Sequence, residues 1–193
     1  MKQNINSLRP ACAHAGFTLI ELMLGITLLG VLLALAMPSF NAVLQRYRVS
    51  TAAHQIANAL QFARAEAVRT RNNVTVGQAA PSAECTSGTP ANWSCGVDVY
   101  ATAGTPLKTI PASSLHAVNV QIVSSHATGT TLAYSPMGYG NTKGVDSFIY
   151  VWPAAQGGDF TTASILYTVC ATSAGKVRTV ASYVTSSADC TID

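Results

Sequence analysis

A single carboxylate, Glu21, lies inside the longest apolar run of the sequence, residues 17–37. An unpaired carboxylate is expensive in hydrocarbon, so a glutamate placed there marks a residue kept for a partner or a function. The run, entered by Gly16 and closed by Pro38, is about 21 residues long. As a helix that is roughly 31 Å, enough to cross the apolar core of a bilayer. A second candidate for chemistry lies near the other end, where Lys176 and Arg178 sit two residues apart. In an extended strand they point to one side, roughly 6–7 Å apart, a reach that suits successive phosphates.

Gly16-Phe17-Thr18-Leu19-Ile20-Glu21 resembles the processing site of type IV prepilins and type II secretion pseudopilins. The resemblance implies that a prepilin peptidase cuts after Gly16 and methylates the new amino group of Phe17. It also implies that Glu21, fifth in the processed chain, neutralises the N-terminal amine of a neighbouring subunit as a filament assembles. Each of those charges would be costly alone in a low-dielectric layer. The rival reading is an ordinary secretory signal, because Ala34-Leu35-Ala36 resembles a small-residue cleavage site. The run exceeds the usual signal core of about 7–15 residues and contains Glu21; both features oppose that reading. No apolar core precedes Cys12, which opposes a lipoprotein.

The chain then divides into a leader (1–16), a transmembrane half-helix (17–37), an amphipathic half-helix (38–71) and a globular, β-rich head (72–193). Pro38 falls inside the helix and is expected to kink it or loosen its bonding. Phe40, Val43, Leu44, Tyr47, Thr51, Ile56, Leu60, Ala63 and Ala67 recur at three-to-four spacing, an apolar stripe for the head and for neighbouring stalks. From 17 to about 71 such a helix would reach roughly 80 Å, which implies a filament or rod. Arg46, Arg48, Arg64, Arg69 and Arg71 face only Glu66 here and read as a solvated basic face that complements the helix dipole.

Beyond Asn72-Asn73 the period changes to two. Segments 74–76, 97–100, 118–122, 132–134, 147–152, 164–171 and 177–184 read as strands, separated by Gly, Pro, Ser and Thr-rich loops. The fold class is α+β: a long N-terminal helix packed on a largely antiparallel sheet.

Hydrophobic content is 49% and charged content 10%, a balance that suits a membrane-anchored chain. The formal charge of +3 includes Lys2 and Arg9; without that leader nine basic side chains face eight acidic ones. No global basic field of the kind that marks a nucleic-acid binder remains. Cys12 leaves with the leader, and Cys85, Cys95, Cys170 and Cys190 remain, an even set that favours disulfides on the exported side of a membrane. Three pairings are open, and the local one, Cys85 with Cys95 and Cys170 with Cys190, is expected. Zinc is the alternative, but the short Cys-x-x-Cys knuckles are missing.

Helix, sheet and processing site together resemble the GspH/FimT/FimU branch of minor pilins and pseudopilins. Tyr134-Ser135-Pro136-Met137-Gly138 and Gly175-Lys176-Val177-Arg178 add to the likeness. The branch implies a single-pass protein of the bacterial inner membrane, with its head in the periplasm and its partners a prepilin peptidase and other major and minor pilins. It implies an assembly or priming role in a type IV pilus; the alternative is an H-type minor pseudopilin of type II secretion with no DNA binding. In FimT proteins of naturally transformable bacteria a late Gly-Arg-x-Arg element contributes to binding double-stranded DNA. Here Lys176 stands for the first arginine, keeping the charge and losing the guanidinium fork. The bland alternative is a solvent-facing strand, since the head from residue 72 has four basic and six acidic side chains.

Catalysis, a cofactor and a metal are not expected. Gly138-Tyr139-Gly140-Asn141-Thr142-Lys143-Gly144 lacks the spacing of a dinucleotide or phosphate loop and reads as a turn. His54, His116 and His126 are scattered, and Asp98, Asp146, Asp159 and Asp189 are dispersed. Asn73-Val74-Thr75 and Asn92-Trp93-Ser94 match glycosylation triplets that often arise by chance.

Overall fold

The computed structural model describes residues 16–80, 92–101, 104–115, 117–124, 131–140, 146–186 and 188–191; the side chains of 35–39 and 191 fall outside that set. The elements are α1 (Leu19–Thr70), β1 (Val74–Gln78), β2 (Gly96–Tyr100), β3 (Lys108–Pro111), α2 (Ala112–Leu115), β4 (Val118–Ser124), β5 (Thr131–Tyr134), β6 (Ser147–Pro153), β7 (Tyr167–Ala171) and β8 (Val177–Val180). Two compact units divide the chain, Met1–Asn41 and Ala42–Asp193.

In the first unit, helical side chains such as Leu19 (75% exposed) and Leu33 (60%) have no protein cover. Among the described residues no helix is long and apolar enough to cross a membrane. The expected span includes residues 35–37, whose side chains are not in the described set. Helical backbone continues through Pro38 without a break. Arg71 adopts a left-handed conformation, φ 55°, and ends the helix one residue earlier than the expected limit.

In the second unit α1 buries Val49, Ala52, Ala53, Ile56, Ala59, Leu60, Ala63 and Ala67. The buried stripe starts later than its spacing suggests, for Val43 and Tyr47 are exposed. Periodicity shows a face, but it does not show where another element begins to cover it. The expected sheet is in fact two four-stranded antiparallel sheets, ordered β3-β2-β1-β5 and β4-β6-β7-β8. Both contribute to the core on α1: Val76 and Val99 from one, Ile149 and Val169 from the other. β3 was not expected. Only its Ile110 is buried, too little for a visible alternation.

β6 is buried on both faces, which is why 147–152 reads as an apolar run rather than an alternation. Ile149 and Val151 join the core on α1, while Phe148, Tyr150 and Trp152 form a second cluster with Leu166, Val184 and the Cys170–Cys190 disulfide. That pairing agrees with expectation. Cys95 is disulfide-bonded too, but Cys85 lies outside the described residues. Expected strand limits at 164 and 184 contract to Tyr167 and Val180 because local side-chain bonds take the outer residues. Gln156 Nε2 donates to Ser164 Oγ at 2.8 Å, and the Thr168 and Tyr150 hydroxyls donate to the carbonyls of Ser182 and Val184, both at 2.6 Å.

Two turns meet over the C-terminal part of α1. In one, Gly138 N–H donates to Ser135 O at 2.8 Å. In the other, Thr172 N–H donates to Lys176 O at 2.9 Å and closes the β7–β8 hairpin. Gly140 N–H donates to Ser173 O at 3.0 Å and links them. Gly175 has φ 77°, and a Cβ there would collide with Gly138 O and sit 2.9 Å from Arg64 Nε. Gly157 also has a positive φ, 58°, but faces open space. Gly157→Ala should therefore cost about 1–3 kcal/mol of conformational strain, and Gly175→Ala more, because the turns must also part. Urea melts of the two variants measure the difference.

Burial raises the Tyr134 phenol to about 12 against the opposing pull of Arg64, and burial together with Tyr183 raises Tyr150 to about 12. Unfolded tyrosine ionises near pH 10, so the folded chain holds these protons more tightly. The stability they carry is complete below pH 10 and lost as pH rises towards 12. The Tyr134 hydroxyl is buried without a hydrogen-bond partner among the described residues. Tyr134→Phe should thus leave the melting temperature at pH 7 nearly unchanged and make its fall between pH 10 and 12 shallower.

Candidate functional site

Gly16, Phe17 and Glu21, the expected processing and assembly residues, lie at the start of α1. Gly16 and Phe17 precede α1 and are exposed, so their peptide bond is accessible. Thr18 caps the helix: its Oγ1 accepts the Glu21 N–H at 3.3 Å and its carbonyl accepts the Leu22 N–H at 3.2 Å. Glu21 lies in the first turn, where the helix dipole favours a negative charge. Thr18 was overlooked in the sequence. Its signal is the Thr-x-x-Glu capping pattern just ahead of an apolar run.

The second site is a groove of about 740 Å³ lined by Gln61, Arg64, Ala65 and Val68 of α1 and by residues 175–178. Lys176 and Arg178 both border it and are exposed. Arg178 pairs across the ladder with Cys170, so the Cys170–Cys190 bridge anchors the strand beside it. Lys176 N–H donates to Thr172 Oγ1 at 3.1 Å, which adds a side-chain bond to the turn. The two short motifs, 134–138 and 175–178, come together here.

Arg64 joins them, and its role was not expected. It is half-buried, whereas Arg46, Arg48, Arg69 and Arg71 are exposed, and its Nε donates to Gly138 O at 3.0 Å. Arg64 follows Leu60 by four residues and precedes Ala67 by three, both fully buried. That position at the margin of the apolar stripe was the available signal. Arg69, by contrast, bonds Glu66 across one turn and holds that carboxyl below its usual range.

The remaining polar groups have structural duties. Asp159 Oδ1 accepts the Phe160 N–H and Asp146 Oδ1 the Ser173 N–H, both at 2.7 Å; Asp98 accepts the Tyr100 hydroxyl at 3.0 Å and Asp189 the Ser186 hydroxyl at 3.1 Å. Asn92 Oδ1 accepts the Ser94 N–H at 2.9 Å and the intervening Trp93 is buried. His54 is exposed; His116 and His126 lie outside the described residues. Among the described residues no three His, Cys, Asp or Glu side chains gather where an ion could sit.

Comparison with known proteins agrees with this layout. Residues 12–37 match the prokaryotic N-terminal methylation motif, and residues 52–182 match the family described as type II transport protein GspH. No curated protein matches the chain. Two crystal forms of the type IV minor pilin FimU from Pseudomonas aeruginosa PAO1 share its fold. One has a TM-score of 0.51 at 15% identity, covering 68% of this chain and 91% of FimU. The other has a TM-score of 0.52 at 14% identity, covering 69% and 89%. With the methylation motif ahead of a family match over most of its length, the chain belongs to the GspH family of pilin-like proteins.

Proposed function

We propose that this protein is a non-catalytic minor pilin that helps to assemble or prime a type IV pilus. A prepilin peptidase processes it between Gly16 and Phe17, and residues 17–37 anchor it in the inner membrane with the head in the periplasm. The observation that carries this reading is the uncovered apolar surface of α1 from Leu19 to Leu33, with Glu21 at its start. Such a surface needs lipid before assembly and neighbouring helices after it. Glu21 gains by meeting an amine from a neighbouring chain, since both charges would otherwise be desolvated alone. Mass spectrometry of the protein from its host should find an N-methylated Phe17; a start at Met37 would establish a secretory signal instead. Glu21→Ala should insert normally and enter filaments poorly, as read by shearing and immunoblotting. Equal entry of variant and parent would remove the charge-pairing role.

The family description favours a second reading, an H-type pseudopilin of type II secretion, while the likeness to FimU fits the pilus. Deleting the gene separates them: loss of surface pili supports the first, loss of protein export the second.

A finer function is DNA binding by the head. Its support is that Lys176 and Arg178 border one groove that, among the described residues, no acidic side chain lines. Contacts of this kind are weak, indifferent to sequence and lost as salt rises. Lys176→Gln with Arg178→Gln should lower both the affinity for duplex DNA and its salt dependence with the melting temperature kept. Unchanged binding would leave the pair as a solvated strand face.

A further inference from the structure

An uncovered sheet edge is a template for another strand, because its outward N–H and C=O groups lack bonds. The two sheets end in β3, β5, β4 and β8. β3 carries Lys108 and ends in Pro111, which has no N–H to offer. The outer side of β4 is occupied: Trp93 N–H donates to Val120 O at 2.8 Å, and Ser94 Oγ accepts the Val120 N–H at 2.9 Å. β5 is met at Tyr134 by Gly140. β8 has β7 on one side and, among the described residues, no strand on the other.

The register shows which backbone groups of β8 are free. Thr172 N–H donates to Lys176 O at 2.9 Å, so Arg178 and Val180, two and four residues further on, turn their backbone groups to Cys170 and Thr168 of β7. Those of Val177 and Thr179 then point out of the sheet. Side chains alternate between the two faces. Val177 packs on the α1 core and Val180 on the outer cluster, so Lys176 and Arg178, both exposed, share the outer face with Val180. The groove beside this edge has Gln61, Arg64, Ala65 and Val68 of α1 as its other wall. A groove between an open strand and a helix suits an extended peptide entering as an added strand.

We propose that the open edge of β8 binds an extended segment of a partner protein by strand addition. The segment bonds the outward backbone groups of Val177 and Thr179. It turns apolar side chains at alternate positions towards Val177, Ala65 and Val68, and carries a carboxylate where it passes Lys176. Lys176 and Arg178 together outweigh Asp146, the acid bonded to this turn through Ser173 N–H. The charge of Arg178 enters that balance, and only Lys176 is assigned as a contact. A second copy suits the edge less well, because antiparallel β8 on β8 sets two basic faces side by side. The inference stands apart from the DNA-binding reading.

The full chain in a zwitterionic detergent is titrated with a fluorescein-labelled octapeptide of alternating valine and aspartate, read by anisotropy. An octapeptide of alternating valine and lysine is the control. The aspartate peptide should bind at about 1 mM or below and more tightly than the control. Thr179→Pro is the decisive variant: the N–H it removes points outward, and an edge strand tolerates proline there. It should keep its melting temperature and weaken peptide binding about tenfold, the equivalent of one backbone hydrogen bond. Lys176→Gln should narrow the gap between the two peptides. If Thr179→Pro does not fold, residue-resolved amide exchange in the parent decides. The aspartate peptide should slow exchange at Val177 and Thr179 and leave Arg178 and Val180, already bonded to β7, nearly unchanged. Equal binding by a folded Thr179→Pro, absent protection at Val177 and Thr179, or no binding by the parent at about 1 mM peptide would overturn the proposal. Self-association that Thr179→Pro abolishes and the peptide does not compete with would overturn it too, in favour of a second copy.

Discussion

Burial of one face of α1, from Val49 to Ala67, is the contact on which both sheets depend. Each sheet is apolar on its inner side, and neither can close a core against the other without the helix between their buried residues. Alanine fills much of that face, at 52, 53, 57, 59, 63 and 67. Small side chains bury little area, but they let strand backbones approach closely. Ile56 and Leu60 supply the larger anchors, each worth about 1.5–3 kcal/mol when fully buried. The same constraint limits what the helix can present elsewhere, since residues outside this stripe must tolerate water.

Arg64 follows from that constraint. It sits beside Ala63, which is fully buried, and is itself half-buried, so its guanidinium leaves the core edge at the level of the two turns. There Gly138 O accepts its Nε. Gly175 must be a glycine because any Cβ would push that carbonyl away. A buried contact of the helix, a backbone conformation restricted to glycine and a solvent-facing pair of cations are therefore one linked arrangement. The Cys170–Cys190 bridge lies in the cluster on the sheet face turned away from α1, the face that Arg178 shares as the register partner of Cys170.

How much of this could be read from the residues follows physical range. The helix, the change of period near Asn72 and the strands of β6 and β7 were legible because each is a local pattern several residues long. The Cys170–Cys190 pairing was favoured only by nearness in sequence. The division into two sheets was not legible, since β1 pairs with β2 and with the distant β5, and no local property of Val74–Gln78 names its partners. β3 escaped notice because one buried residue makes no alternation. Arg64 was read as part of a solvated basic face, and its true neighbour lies 74 residues away. Lys176 and Arg178 were visible as a pair, but the groove that holds them depends on that long-range contact.

Net charge is a poor guide to the local field at the β7–β8 turn. From residue 72 onward acidic side chains outnumber basic ones, which on a smooth sphere would repel a polyanion. Charges separated by more than a Debye length, about 8 Å at physiological salt, are largely screened from one another. Among the described residues Asp98, Asp146, Asp159 and Asp189 are engaged by backbone or hydroxyl donors of their own, while Arg64 and residues 175–178 border one groove. Those bonds do not remove the negative charges; they fix where the charges point. Asp146 is the informative case, because its carboxylate bonds Ser173 in the same turn that carries Lys176, too close for screening to remove its effect there. Among the described residues, the local balance of charge is therefore set by where the fold holds each carboxylate and not by the net charge of the head.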